Sequence, residues 1–315
     1  MLEKYVHLIQ SGEVVAFPTE TVYGLGADAR NPDAVQKVFE IKGRPSDNPL
    51  IIHIADRKSV QDFVLEVPKA AEKLMDTLWP GPLTMIFKKK PEVLDIVTGG
   101  LPTVALRWPS HPISQNLIAQ TGPLVAPSAN SSGKPSPTKP EHVREDFGED
   151  FPVIPAGETQ IGIESTVLDV SEEPFRIHRP GYIGKSHIEK IIGMTVCFAE
   201  NDEDAAAKSP GTKYSHYAPD AGVRWLKADE RATVNHTLYL FHSENPGMVS
   251  DHIIFYRGNY NKMAHELFDR FRQADHKGLN EIVIEPISEE TQDENAIAKA
   301  LFNRISKAIG PKMDD

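Results

Sequence analysis

The chain has 315 residues, 40% of them hydrophobic and 25% charged, a balance typical of a soluble globular protein and unlike collagenous or disordered chains. Its 34 Lys and Arg against 45 Asp and Glu leave a net charge of −11, which argues against a main role in coating nucleic acid while allowing a local basic cleft. No apolar run approaches the ~20 residues needed to cross a bilayer, and the single cysteine, Cys197, excludes an internal disulfide and fits a cytoplasmic location.

At about 100–200 residues per domain, this length suggests two domains. The opening MLEKYVHLIQSGE lacks a basic stretch followed by an apolar one and is not expected to be a secretory signal. Val14–Pro18 reads as a buried strand. Asn31-Pro32 reads as an N-cap with proline at the first helical position, followed by a helix that stops at Gly43. Leu50–Ala55 reads as a strand, and Ala70–Leu78 as a helix broken by Trp79-Pro80-Gly81-Pro82. Leu83–Phe87, Thr103–Arg107 and Leu124–Ala126 are strand candidates, and His111–Thr121 and Glu141–Phe147 are helix candidates. Strands at Ser165–Val170, Phe175–His178 and Thr195–Ala199 then surround a helix from Lys185 to Ile192. This alternation predicts an α/β fold, a sheet with helices packed on its faces.

Residues 201–220 break the pattern. NDEDAAAK is small and acidic, and SPGTKYSHYAPD is polar and punctuated by proline and glycine, so a linker is expected there. Alternation resumes with strands at Val223–Leu226, Thr237–Phe241 and Ile253–Tyr256, a helix at Tyr260–Ala274, a strand at Glu281–Ile287 and a last helix at Asn295–Ile309. The expected layout is a first domain over 1–200, a linker over 201–220 and a smaller Rossmann-like α/β domain over 221–315. The two parts, divided at residue 200, carry nets of −6 and −5, so neither is charge-segregated.

Common site motifs are missing. Gly184-Lys185-Ser186 has the ending of a phosphate-binding loop, but Arg179 stands where its first glycine should be. Gly24-Leu25-Gly26 lacks the third glycine of a dinucleotide fingerprint, and Gly12 is better read as a helix C-cap. His265-Glu266 has no second histidine at zinc-motif spacing, and no Gly-x-Ser-x-Gly elbow occurs. Cys197, between Val196 and Phe198, reads as a buried structural thiol.

Three segments set polar groups where strands end, the usual place for ligands in α/β proteins. PTETVYGLGADA, residues 18–29, mixes hydroxyls, a carboxylate and glycines; it is either an ordinary loop or a ligand contact. KGRPSDNPLIIHI, residues 42–54, puts Lys42 and Arg44 at a helix exit, where the macrodipole alone favours cations and where a phosphate clamp would also need them. His53 lies mid-strand, on the face opposite Ile52 and Ile54. LVAPSANSSGKPSPT, residues 124–138, ends a strand in Ser128 and Asn130, either a turn or hydrogen-bonding groups for a ligand. Arg107 and Arg179 add cations at two further strand ends. Together these groups suggest an anion-binding cleft.

In order, PTETVYGLG, KGRPSDNPLIIHI, TVALRWP, PSANSSGKPSPT, ESTVLD and HRPG resemble the YrdC family, and SPGTKYSHYAPD is similar to the segment that leads to the second domain in the family's long form. The resemblance implies a twisted, open, mixed sheet for the first domain and an L-threonylcarbamoyladenylate synthase activity. Members combine L-threonine, bicarbonate or CO2 and ATP into threonylcarbamoyl-AMP and pyrophosphate, and the product supplies a transferase machinery that modifies a tRNA adenosine. It further implies that the signature lysine, arginine, serine and asparagine fall on Lys42, Arg44, Ser128 and Asn130. The threonine pocket would use Thr21, His53, Arg107, Ser128 and Ser165. The ATP side would use Lys42, Arg44, Asn48, Thr103, Asn130, Thr138 and Arg179, with His216 and Tyr217 of the linker folding over the nucleotide. Mg2+ would be carried mainly on the ATP phosphates. Direct contact with tRNA is compatible with the resemblance, and no membrane partner is implied. Rival readings are an RNA-binding module, opposed by the acidic balance; a carbamoyl-transfer enzyme of hydrogenase maturation, opposed by the length and the lack of cysteines; and a non-catalytic nucleotide-binding homologue.

Overall fold

The computed structural model describes residues 2–199, 217–233, 236–243, 245–247 and 250–310. The first part runs α1 (Glu3–Gln10), β1 (Val15–Phe17), β2 (Gly24–Asp28), α2 (Pro32–Lys42) and β3 (Ile51–His53), then a 3-10 turn at Lys58–Asp62 and α3 (Lys69–Leu78). It continues with β4 (Leu83–Lys88), α4 (Asp95–Thr98), β5 (Thr103–Arg107), α5 (Pro112–Thr121), β6 (Leu124–Val125), α6 (Pro140–Phe147), β7 (Thr166–Asp169), β8 (Arg176–Arg179), α7 (Lys185–Ile192) and β9 (Cys197–Phe198). The second part holds β10 (Gly222–Trp225), β11 (Thr237–Phe241), β12 (Ile253–Phe255), α8 (Tyr260–His276), β13 (Glu281–Ile284), α9 (Glu289–Glu294) and α10 (Ala296–Ile309).

Strands β1 to β9 form one mixed sheet in the order β1-β2-β6-β3-β5-β4-β7-β8-β9, in which β3/β5, β4/β7 and β8/β9 pair in parallel and the other neighbours antiparallel. The α/β class and the mixed sheet agree with the expectation. Alternation along the strands decides what each face does. Ile52, Met85, Leu106 and Leu168 point into the main core, where Val35, Val38 and Phe39 of α2, Leu74 and Met75 of α3 and Ile188 and Ile192 of α7 cover them. On the other face, Tyr5 and Ile9 of α1 and Leu117 and Ile118 of α5 cover only the β1–β6 side, against Val15, Phe17 and Leu124. The middle of that face carries a small apolar cluster of Ile51, Ile86, Ala105 and Val167. This floor lies beneath the candidate site.

The second sheet is wholly parallel, in the order β10-β13-β11-β12. Helices α8 and α10 press Leu267, Phe268, Phe271, Leu301 and Ile305 onto Leu238, Leu240, Ile282 and Ile284. The same cluster takes in Val22 and Ile163 of the first part, so the two halves share apolar packing. Polar contacts reinforce the junction: Arg272 donates to Asp146 at 2.9 and 3.0 Å and to the Pro135 carbonyl at 2.7 Å, and Asp269 accepts from Lys139 at 2.8 Å. Gly162 has a φ of +84°, and a Cβ there would lie 2.4 Å from the His265 Cα, so only glycine allows α8 to approach this closely.

Local signals explain several boundaries. The Asn31 side chain accepts from the amides of Asp33 and Ala34 at the start of α2, and Gly43 closes the helix at a φ of +60°. Three readings need correction. Residues 24–28, taken as loop, form β2, because Gly24, Leu25, Gly26 and Ala27 are buried between β1 and β6. The helices α4 and α9 and the 3-10 turn were not anticipated; all three are short and held by local bonds rather than by a long apolar stripe, while α1 is the helix that Gly12 was expected to close. Cys197 is half-buried rather than buried, since β9 is an edge strand with no neighbour beyond it. Most of the expected linker, residues 201–216, lies outside the described residues.

Candidate active site

Above the apolar floor lies a hollow of about 600 Å³, partly open to solvent and lined by Val22, Arg44, Ile51, His53, Arg107, Ala126, Pro127, Ser128, Asn130, Lys134, Ser136, Glu164, Ser165, Arg179 and Tyr217. Seven of these residues, Arg44, His53, Arg107, Ser128, Asn130, Ser165 and Arg179, were named from the sequence or from the resemblance, and Tyr217 comes from the linker. They come from β3, β5 and β8 and from the segments after α2 and β6 and just before β7, which the sheet order brings together.

The register gives the hollow a direction. Parallel pairing of β3 with β5 sets His53 opposite Arg107 at one end and Ile51 opposite Ala105 in the middle. Arg107 is 4% exposed, and its guanidinium lies 2.8 Å from Glu20, whose other oxygen accepts the Ser110 amide at 3.2 Å. His53 packs edge-on to Phe17, and burial, with the Arg107 charge beside it, lowers its pKa to about 3, so the ring is neutral through the physiological range. At the other end Arg44 donates to the Pro49 carbonyl at 3.1 Å. Asn48 is 1% exposed, yet neither end of its amide has a partner among the described residues. Such an unsatisfied buried amide is costly, although Asn48 is not among the residues that line the hollow. Thr103 lies on the same sheet face as Ala105 and Arg107, opposite Lys88 of β4, but does not line the hollow.

Lys42 does not line the hollow either. It is buried and donates to the backbone carbonyls of Ser128 and, at 2.6 Å, Asn130, so it pins the Ser128–Asn130 segment from behind. Burial and the neighbouring Arg44 charge hold its pKa well below the ordinary lysine value. The Asn130 amide nitrogen donates to the Ser131 and Lys134 carbonyls, which leaves its oxygen without a partner among the described residues. Ser165 shares a hydrogen bond with Thr84 at 2.8 Å and accepts from Arg179 at 3.2 Å. Two expected contacts sit behind the lining. Thr21 is fully buried and bonded to Thr19 at 2.8 Å, and Thr138 is fully buried with no partner for its hydroxyl among the described residues. Tyr217 is 5% exposed and stacks on Phe268 of α8 with ring centres 5.2 Å apart. His216 lies outside the described residues.

Several groups escaped sequence reading. Glu20 and Ser136 sat inside segments already singled out, but nothing local tied Glu20 to Arg107 or Ser136 to Glu164. The Ser136 hydroxyl donates to Glu164 at 2.5 Å, and Arg304 of α10, wholly buried, donates to the other Glu164 oxygen at 2.8 Å. Burial pushes the Glu164 carboxyl up, but the Arg304 and Arg179 charges outweigh it and hold its pKa at about 2. Lys307, one turn further along α10, is brought down to about 7 by burial and by the same two guanidiniums. The sequence reading placed Arg304 and Lys307 in the last helix and gave them no role.

Comparison with known proteins accounts for this arrangement. A family model covering the Sua5, YciO and YrdC proteins, described as "Telomere recombination", matches residues 7–181, and one described as "Threonylcarbamoyl-AMP synthase, C-terminal domain" matches residues 183–310. The chain is 42% identical to the threonylcarbamoyl-AMP synthase of Pyrococcus abyssi over 96% of this chain and 92% of that one. It is 41% identical to the Bacillus subtilis threonylcarbamoyl-AMP synthase over 97% and 92% of the two chains. Its fold superimposes on the crystal structure of P. abyssi Sua5 complexed with L-threonine with a TM-score of 0.87, at 39% identity, covering 98% of this chain and 94% of that one. Matched over almost its whole length, the chain belongs to the Sua5/YrdC family of threonylcarbamoyl-AMP synthases, enzymes of the nucleotidyltransferase type, in its two-domain form.

Proposed function

We propose that this enzyme makes threonylcarbamoyl-AMP and pyrophosphate from L-threonine, bicarbonate or CO2 and ATP, and that the product serves the threonylcarbamoylation of a tRNA adenosine. The observation that carries the reading is the meeting of Arg44, Arg107 and Arg179 with His53, Ser128 and Ser165 around one hollow. The threonine amine adds to CO2 and loses a proton, giving a carbamate. A carbamate oxygen attacks the α-phosphorus of ATP, and the bond from that phosphorus to the bridging oxygen breaks to release pyrophosphate. Two anions must approach, and cations fixed in a half-closed space offset both their repulsion and the charge growing on the leaving group.

Each group has a part in this reading. Arg107, held by Glu20, pairs with the threonine carboxylate, while neutral His53 and the hydroxyls of Ser128 and Ser165 take up its polar groups. Arg44, Asn48, Thr103, Asn130 and Arg179 serve the nucleotide, with Tyr217, and His216 from the linker, closing over it. Lys42 acts from behind, on the Ser128–Asn130 backbone, and Thr21 and Thr138 support the lining. Mg2+ would offset phosphate charge. Glu164, the carboxylate in the lining, is taken up by Ser136 and Arg304, so the residues present fit a cation carried on the phosphates better than one caged by protein carboxylates. A carbamate decomposes in water, which gives a closing linker its physical purpose.

The test is incubation of the full chain with ATP, threonine and bicarbonate, each omitted in turn, with pyrophosphate as the readout. Release that needs all three supports the reading. Nucleotide binding without pyrophosphate would favour a non-catalytic homologue. RNA binding with a steep salt dependence and no turnover would favour the RNA-binding alternative.

A further inference from the structure

Arg304 of α10 does not line the hollow, but it holds residues of the first part that stand at its wall. Arg304 is fully buried in α10, and its donors spread over the first part's strand ends: Nε to the Glu164 carboxylate at 2.8 Å, one terminal nitrogen to the Pro180 carbonyl at 2.7 Å. Glu164 precedes Ser165 and Pro180 follows Arg179, so Arg304 grips the neighbours of both members of an adjacent pair. Within that pair, Arg179 donates through Nε to the Ser165 carbonyl at 3.1 Å and through a terminal nitrogen to the Ser165 hydroxyl at 3.2 Å. Arg179 and Glu164 interact electrostatically, since the Arg179 charge is one of the causes that hold the Glu164 carboxyl ionised.

A buried carboxylate must find a cation. Two guanidiniums stand beside Glu164, and only Arg179 lines the hollow. We propose that Arg304 is a positioning residue for the reaction: by occupying Glu164 it keeps that carboxylate from capturing Arg179, which stays on Ser165 and faces the nucleotide. The second domain then completes the site electrostatically instead of merely sitting beside it. This inference rests on the reading that Arg179 serves ATP.

The experiment measures the Kd of a non-hydrolysable ATP analogue and the KM values for ATP and threonine in the full chain, with thermal midpoints recorded alongside. Arg304→Met should weaken analogue binding and raise the ATP KM at least tenfold, with the threonine KM moving less than twofold. Adding Glu164→Gln, which removes the competing charge, should return both nucleotide values to within about threefold of wild type. Should Arg304→Met not fold, Arg304→Gln, which keeps a polar side chain but removes the charge from Glu164, should raise the ATP KM three- to tenfold and be rescued in the same way. A double variant no better than either single Arg304 variant would overturn the proposal and leave Arg304 a docking contact. So would an ATP KM indifferent to Arg304. A wild-type chain that bound no analogue at all would instead sink the nucleotide reading itself, and this inference with it.

Discussion

Lys42 and Arg44 are two residues apart, yet the fold gives them different work. Lys42 turns inward onto the carbonyls of Ser128 and Asn130, and Arg44 lines the hollow. An arginine aimed at transferring phosphates is a fixed charge whose loss is felt where charge develops in the transition state. Arg44→Ala should therefore lower the rate of pyrophosphate release by about 100-fold or more. The thermal midpoint should stay within a few degrees, because Arg44 contacts carbonyls at the hollow's edge rather than packing in the core. Near-normal turnover in a folded variant would remove Arg44 from the phosphate side. Lys42, Arg44, Ser128 and Asn130 were legible in the sequence because each stands at a strand or helix end. Glu20, which holds Arg107 from about ninety residues away in the chain, was not, since a contact between distant segments leaves no local trace.

Among the elements, α2 shows how local signals place the site. Its Asn31 cap, proline at the first turn and Gly43 stop leave little freedom in where the helix ends, and Lys42 and Arg44 lie at that end. Asn31→Ala removes an acceptor from two amides and should cost about 1 kcal/mol. In a chain of this size that is a fall of roughly 1–2 °C in thermal midpoint, measurable by differential scanning calorimetry, with activity at 25 °C little changed. A larger loss of activity than of stability would mean that fraying reaches Lys42 directly. Strand β2 is the opposite case. GLGAD has neither β-branched residues nor alternation, and it is a strand only because β1 and β6 take its backbone hydrogen bonds from both sides.

For the molecule as a whole, the junction between the two parts changes what truncation should do. Read from the sequence, a cut near residue 205 would remove a linker and an accessory domain, lowering activity more than the stability of what remained. The junction, however, joins Val22 and Ile163 to the second core and pairs Asp146 and Glu164 with Arg272 and Arg304. Removing one side of a buried pair strands the other charge. The fragment 1–205 should therefore lose both activity and thermal stability, which a melting curve beside the pyrophosphate assay would detect; an unshifted melting point would show that the junction contributes little. The same contacts respond to acid. The Glu164 carboxyl is held at about 2 against an ordinary 4.5, and Asp269 at about 2 against 3.8. Their folded pKa values lie below the unfolded ones, so their contribution is complete above pH 4.5 and fades as the pH falls toward 2. For buried Glu164 this is on the order of 3 kcal/mol. The thermal midpoint should drop between pH 5 and pH 3, less steeply in Glu164→Gln; equal slopes would mean the pair is not felt in the unfolding transition.

By itself, the sequence determined the class of the fold, most of the element boundaries and most of the cations that line the hollow. Helix caps, alternating strands and proline–glycine breaks act between residues a few positions apart, where a linear reading can see them. Only the tertiary structure decided which face of the sheet stays open, that Lys42 points behind the hollow, that Thr21 and Thr138 lie beneath its surface, and that Arg304 reaches Glu164 from 140 residues further along the chain. Those outcomes depend on strand order and on two sheets meeting, which bring together side chains that share nothing in sequence except the free energy of being buried side by side.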